Sequence, residues 1–211
     1  MKAIIGLIVF FLFLSIFSSS TFAVDLLSDG FESGISSWSS SGGSATATNS
    51  ADFARSGTYS IKVQHDKTSS YGFQTVIQNI EPGMFYKISV FGKPGNDNIN
   101  SYFLRVAWYT STDGTGSQLS QVNDSNSGGS VDTDWKELTI DSVQAPSNAN
   151  SAKARLVLTS KTSGQVAYAF FDDIIFHESI APTNTPTPTP TLTPTPTQTQ
   201  TPTKTPTPIP N

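Results

Sequence analysis

Hydrophobic residues alternate with polar ones in short runs through the middle of this chain, and no stretch shows the 3.6-residue spacing of a helix. The runs are rich in β-branched and aromatic residues and predict eight strands, at 44–49, 59–65, 73–80, 85–91, 102–110, 135–141, 152–159 and 166–176. Turn chemistry separates them: Pro82-Gly83, Lys93-Pro94-Gly95-Asn96, Asp113-Gly114 and Ser163-Gly164. Strands at this spacing, without helices between them, point to an all-β, two-sheet antiparallel sandwich or jelly roll.

Parity assigns faces. Tyr86, Ile88 and Val90 share one side of their strand, with Lys87, Ser89 and Phe91 opposite. Leu104, Val106 and Trp108 face away from Phe103, Arg105, Ala107 and Tyr109. Ala154, Leu156 and Leu158 look inward, leaving Arg155 and Thr159 outside. In the last run Phe170, Asp172, Ile174 and Phe176 share a parity, which puts a carboxylate on the core side. A buried carboxylate is costly unless it is paired, hydrogen-bonded or bound to a cation. Glu32 is flanked by glycines in Gly30-Phe31-Glu32-Ser33-Gly34 near the start of the domain. Together with the Asp172-Asp173 pair near its end, it suggests a shared calcium site pinning the terminal strands. Without a metal, Glu32 would cap a turn and Asp172 would accept backbone N–H bonds.

The ends of the chain read differently. Lys2, the apolar run 4–17 and small residues up to Ala23 form the pattern of a secretory signal peptide over residues 1–23. The run falls short of the roughly 20 apolar residues of a bilayer span. The expected location is therefore secreted or cell-surface. Residues 24–180 form the expected domain, and 181–211 a Pro/Thr-rich linker with threonine at every odd position from 183 to 207. Proline at that density favours extended polyproline II at roughly 3.1 Å per residue. Such a spacer leads to a further domain or serves as a surface stalk.

Composition removes several classes of function. Without cysteine there are no disulfides, thiolate zinc sites or cysteine nucleophiles. The domain carries ten basic and sixteen acidic residues, a net −6 without basic clusters, which excludes nucleic acid as partner. Sparse charge and abundant Ser, Thr, Asn and Gly suit a neutral extracellular ligand. Catalysis finds no constellation. His65 and His177 stand alone, Asp172 and Asp173 point to opposite faces, and Gly128-Gly129 reads as a polar Ser/Asn loop with no helix after it. The chain is not expected to be an enzyme.

Five motifs then follow in order: FESG with Trp38 soon after, 56–63 (SGTYSIKV), Glu81-Pro82-Gly83 leading to 86–90 (YKISV), 134–139 (DWKELT), and Phe171-Asp172-Asp173-Ile174. The series resembles the carbohydrate-binding modules with a galactose-binding-like jelly-roll fold, the group around families 4, 9, 16 and 22. The resemblance covers nearly all of residues 25–178. It implies a β-sandwich, a structural calcium, and binding of poly- or oligosaccharide; a monomer is the default expectation, and the Pro/Thr spacer suggests attachment to a glycoside hydrolase or the cell surface. Carried onto this chain, the calcium ligands are Glu32 and Asp172, with carbonyls near Asp29 and at Ser56 as weaker candidates.

Sugar recognition needs flat aromatic faces ringed by planar polar groups. The outward set Phe91, Phe103, Arg105 and Tyr109, joined by Tyr71, Phe73 and Gln74, is the expected platform. Trp38, Trp108 and Trp135 read as packing residues. The competing class is a structural or adhesive sandwich that binds no sugar.

Overall fold

The computed structural model describes residues 24–181, so the expected signal peptide and the Pro/Thr segment from 182 onward lie outside the described residues. Each of the eight expected runs becomes a strand, and three more join them. In chain order the elements are β1 (Asp25–Asp29), β2 (Ser39–Ser40), β3 (Thr46–Ser50), β4 (Ser60–His65), β5 (Tyr71–Ile77) and β6 (Phe85–Pro94). They continue as β7 (Ile99–Tyr109), β8 (Gln118–Gly128), β9 (Lys136–Gln144), β10 (Ser151–Ser160) and β11 (Ala167–Ser179). There is no helix among the described residues.

Two antiparallel sheets result. One runs β3-β4-β11-β6-β9 with β1 on the far half of β11; the other runs β2-β5-β10-β7-β8. We call them the β11 sheet and the β10 sheet after their central strands. Together they form a jelly-roll sandwich. β6 and β7 are consecutive in the chain yet lie in different sheets.

The core lies between the sheets and follows the alternation. Ile61, Val63, Tyr86, Ile88, Val90, Leu138, Ile174 and Phe176 from the β11 sheet meet Ile77, Leu104, Val106, Trp108, Leu156 and Leu158 from the β10 sheet. Tyr86 stacks on Phe176 with ring centroids 5.1 Å apart and tilts onto Trp108 at 6.2 Å. Ala152 and Ala154 offset these large rings, as interdigitated cores require. Tyr102 fills a slot between Gly92 of one sheet and Gly128 of the other. A Cβ on Gly128 would come within 2.0 Å of its ring, and one on Gly92 within 2.6 Å.

β8 is a first correction: it lies where alternation predicts no strand, and it ends at Gly128, which reads from the sequence as part of a polar Ser/Asn loop. Its residues form an edge strand whose exposed pattern carries no hydrophobic alternation. Polar side chains do the packing there: Asn123 Oδ1 accepts from Trp108 Nε1 at 2.9 Å, and Ser125 Oγ from the Leu104 amide at 3.0 Å. The facing edge, β9, is tied to it by Asn126, whose side-chain amide donates to the Glu137 carbonyl and accepts from the Thr139 amide, both at 2.9 Å.

The second correction concerns β11. Its pairing with β6 slips between Asp172 and Ile175, and Asp173 there takes a positive φ of 51°. This bulge resets the parity of the strand. Ala169 and Phe171 face the core before it and Ile174 and Phe176 after it. Phe170 and Asp172 therefore lie on the outer face of the sheet, where Asp172 pairs with Phe91. Asp172 is fully buried, but under the loop between β3 and β4 rather than in the sandwich interior. Phe53 of that loop covers Phe170 edge-on at 5.1 Å.

Candidate functional site

On β10 the inward Ala152, Ala154 and Leu156 force Lys153, Arg155 and Val157 to the outer face of its sheet. The register surrounds them. Arg155 lies opposite Gln74 of β5 and Arg105 of β7; Lys153 lies opposite Val76 and Ala107; Val157 lies opposite Phe103. β8 adds Asp124 opposite Arg105, and Val122 opposite Ala107.

Two arginines facing each other across neighbouring strands repel, and each turns to a different partner. Arg105 makes a two-pronged pair with Asp124, at 2.6 and 2.7 Å. Arg155 donates from Nε to Gln74 Oε1 at 2.8 Å and from Nη2 to the Tyr109 hydroxyl at 2.6 Å. Lys153 sits with Nζ 4.7 Å from the centre of the Tyr109 ring. Phe103 stays half-buried beneath the Arg105 guanidinium, at 5.4 Å. The result is a strip of planar hydrogen-bonding groups with one accessible aromatic ring. Beside it, a groove of about 560 Å³ opens where Val76, Gln78 and Asn79 approach Val24, Asp25 and Leu26.

Of the expected platform, Gln74, Phe103, Arg105 and Tyr109 come together here. Tyr109 is only 4% exposed, so its hydroxyl takes part rather than its face. Three expected members lie elsewhere. Phe91 is on the outside of the other sheet with the Arg55 guanidinium 3.4 Å above its ring, because the chain crosses between sheets after β6. Tyr71 and Phe73 have inward parity: Phe73 packs against the core, and Tyr71 lies edge-on to His65 at 5.5 Å over Gly42 and Gly43. Arg155 and Lys153 are the additions. Their signal was in the sequence, as charges alternating with Ala152, Ala154 and Leu156, but such a pattern also describes an ordinary solvated strand face.

The expected metal residues gather around the loop 55–59. Asp172 Oδ2 accepts from the amides of Arg55 at 2.8 Å and Ser56 at 3.3 Å, and Oδ1 from the Asp173 amide at 2.8 Å. Burial pushes the Asp172 carboxyl up from its ordinary range, and these amides pull it back. Glu32 accepts from the amides of Thr58 and Tyr59 at 2.8 to 3.1 Å. Ser56 Oγ bonds Asp173 at 2.6 Å, and Arg55 pairs with Asp173 at 2.7 Å. The side chain of Asp29 turns away to the Phe31 amide and the Trp38 indole N–H.

Among the described residues no three His, Cys, Asp or Glu side chains gather as a metal cluster. Glu32 and Asp172 carry hard carboxylate oxygens of the kind calcium takes, and in this structure those oxygens accept from backbone amides. The two carboxylates come from distant segments and reach one loop, and calcium would need further oxygen ligands to complete six to eight. A cation there would share the carboxylate oxygens with the amides.

A family model described as "Carbohydrate binding domain" matches residues 26–164. The chain belongs to this carbohydrate-binding domain family. Solved structures agree on the fold. The C-terminal family 22 carbohydrate-binding module of a Clostridium thermocellum xylanase superposes with a TM-score of 0.57 at 20% identity, over 72% of this chain and 91% of that one. A module from the same organism, joined to its GH10 unit and complexed with xylohexaose, gives 0.56 at 21% identity over 73% and 28%. The enzymatically active domain of tailspike protein 4 of bacteriophage CBA120 gives 0.56 at 15% over 74% and 21%. No curated protein sequence matches the chain.

Proposed function

We propose that this domain is a non-catalytic binding module that takes a poly- or oligosaccharide chain along the outer face of the β10 sheet. The observation that carries the reading is the Gln74–Arg155–Tyr109 network beside Phe103 and the Arg105–Asp124 pair. Such a strip offers fixed donors and acceptors to hydroxyls, and one ring to a pyranose C–H face. It contains no general acid paired with a base or nucleophile, so binding rather than bond cleavage is the chemistry it supports. One neighbour is complexed with xylohexaose and others of the same fold are named xylan-binding domains, which makes xylans the first ligands to try.

Export and a place outside the cell belong to the same reading, supported by the apolar run after Lys2. So does a structural calcium held by Glu32 and Asp172, which would fix the loop 55–59 against β11 and leave the sugar face to side chains alone. A hydrolase or the cell surface as the attached partner is supported by the Pro/Thr composition past Ala181.

Affinity-gel electrophoresis against a panel of polysaccharides tests the proposal. Retardation by at least one polymer is expected, weakened by Phe103→Ala and by Arg155→Met and unchanged by Phe91→Ala on the opposite sheet. Equal loss from Phe91→Ala, or no retardation by any polymer, would overturn it in favour of a sandwich that only projects from the envelope.

A further inference from the structure

The proposed face is positively charged in an otherwise acidic domain. Its three cations, Arg105, Lys153 and Arg155, face one acid, Asp124, and that acid is fully engaged by Arg105. Among the described residues neither Lys153 nor Arg155 has a carboxylate partner. Arg155 spends two of its five N–H donors, and both go to neutral groups, Gln74 and Tyr109. Lys153 makes no hydrogen bond among the described residues; the end of its stem lies against Gly114, as Val76 does, and its ammonium rests over the Tyr109 ring. The nearest acid along that rim, Asp113, is turned onto the amide and hydroxyl of Thr115, at 3.0 and 2.7 Å.

Two cations thus converge on one tyrosine, two residues apart on the same strand; the one acid close enough to act on Lys153 is Asp113, which hydrogen-bonds Thr115 instead. Partial burial and the neighbouring Arg155 hold Lys153 below its ordinary value, against a smaller opposing pull from Asp113. Neither head group meets a carboxylate: Arg155 bonds only the neutral Gln74 and Tyr109, and Lys153 has only the Tyr109 ring.

We infer that the face selects a glycan carrying carboxylates, a uronic-acid-bearing poly- or oligosaccharide, with Lys153 and Arg155 receiving the carboxylate beside Tyr109. This rests on the sugar-binding reading of the face and replaces the neutral ligand expected from overall composition. Net charge describes the whole surface, whereas the ligand meets only this strip.

The test uses glucuronoxylan and polygalacturonan, each in native and carboxyl-reduced form, together with linear xylan, by affinity electrophoresis and calorimetry. At least one native polymer should bind on the order of tenfold tighter or more than its reduced form, the scale of one charge-assisted hydrogen bond. Added salt should shrink that ratio. Lys153→Met, which keeps the stem, and Lys153→Glu should collapse it, with melting temperatures measured alongside to show that both variants fold. Native and reduced polymers binding equally, or linear xylan binding while neither acidic polymer does, would overturn the charge preference and leave the sugar module standing. If no polymer binds at all, both fall.

Discussion

Glu32 and Asp172, drawn from opposite ends of the domain, grip the two halves of one loop by its backbone amides: Asp172 takes Arg55 and Ser56, and Glu32 takes Thr58 and Tyr59. The loop fills the place where β11 changes neighbours, from β4 along its first half to β1 along its second. Removing Asp172 leaves three part-buried amides, of Arg55, Ser56 and Asp173, without their charged acceptor, and hydrogen bonds to a charged group are worth about 1.5–3 kcal/mol each. Asp172→Ala should therefore destabilise the domain by about 3 kcal/mol or more, and Glu32→Ala by about 1 kcal/mol, because Glu32 is exposed. Urea titrations measure both. Equal small effects would show that the clamp contributes little.

Gly57 gives the same clamp a sharper probe. Its φ is 61°, and a Cβ would lie 2.5 Å from the Glu32 carboxyl carbon. Gly57→Ala should cost at least about 1 kcal/mol from backbone conformation alone. Much of the excess should vanish in the Gly57→Ala, Glu32→Ala double variant, where the clash is gone. A double-mutant cycle with no coupling would contradict the packing described.

Chelation tests the calcium proposal. A cation at a hundred times its dissociation constant stabilises by about 2.7 kcal/mol, which for a domain of this size is a melting shift of about 5–10 °C. EDTA should lower the melting temperature by that amount and calcium should restore it. An unchanged melt, with no calcium found by elemental analysis, would leave the amides as the only partners of Glu32 and Asp172.

His65 predicts an acid limb. Burial holds its imidazole below the ordinary value, and Nε2 donates to the Ser69 carbonyl at 3.0 Å in the neutral form. The unfolded chain then binds the proton more readily, so stability is full above about pH 6.5 and falls as pH drops from there toward the lowered folded value. His65→Gln, which keeps a donor for Ser69, should flatten the slope in that window. A slope unchanged by the substitution would assign it to other groups.

Gly128→Ala should force Tyr102 out of its slot and break its 3.0 Å bond to Asp132. Overpacking of this kind costs about 1–3 kcal/mol. Tyr102→Phe, which loses the hydroxyl but keeps the ring, should cost about 1 kcal/mol. Chemical denaturation of the two variants separates volume from hydrogen bonding.

Most strands were legible because one face of each is apolar and the period is two. β8 was not, because polar side chains serve its inward contacts, as Asn123 does for Trp108. Parity along β11 failed at a single residue, Asp173, where a bulge cannot be read from alternation. The misplacement of Phe91 has a different origin: strands consecutive in the chain need not share a sheet, and the step from β6 to β7 crosses the sandwich. Four of seven expected sugar residues came together because they share the outward face of the β10 sheet. Lys153 and Arg155 escaped notice because an outward charge has meaning only once its lack of partners is known.

Asn126 carries the last consequence. By occupying a carbonyl and an amide of β9 from the end of β8, one side chain blunts the terminal strand of the β11 sheet. Exposed strand edges invite pairing with other molecules. A second copy approaching along β9 finds those two groups already paired, which discourages strand-to-strand association on that side.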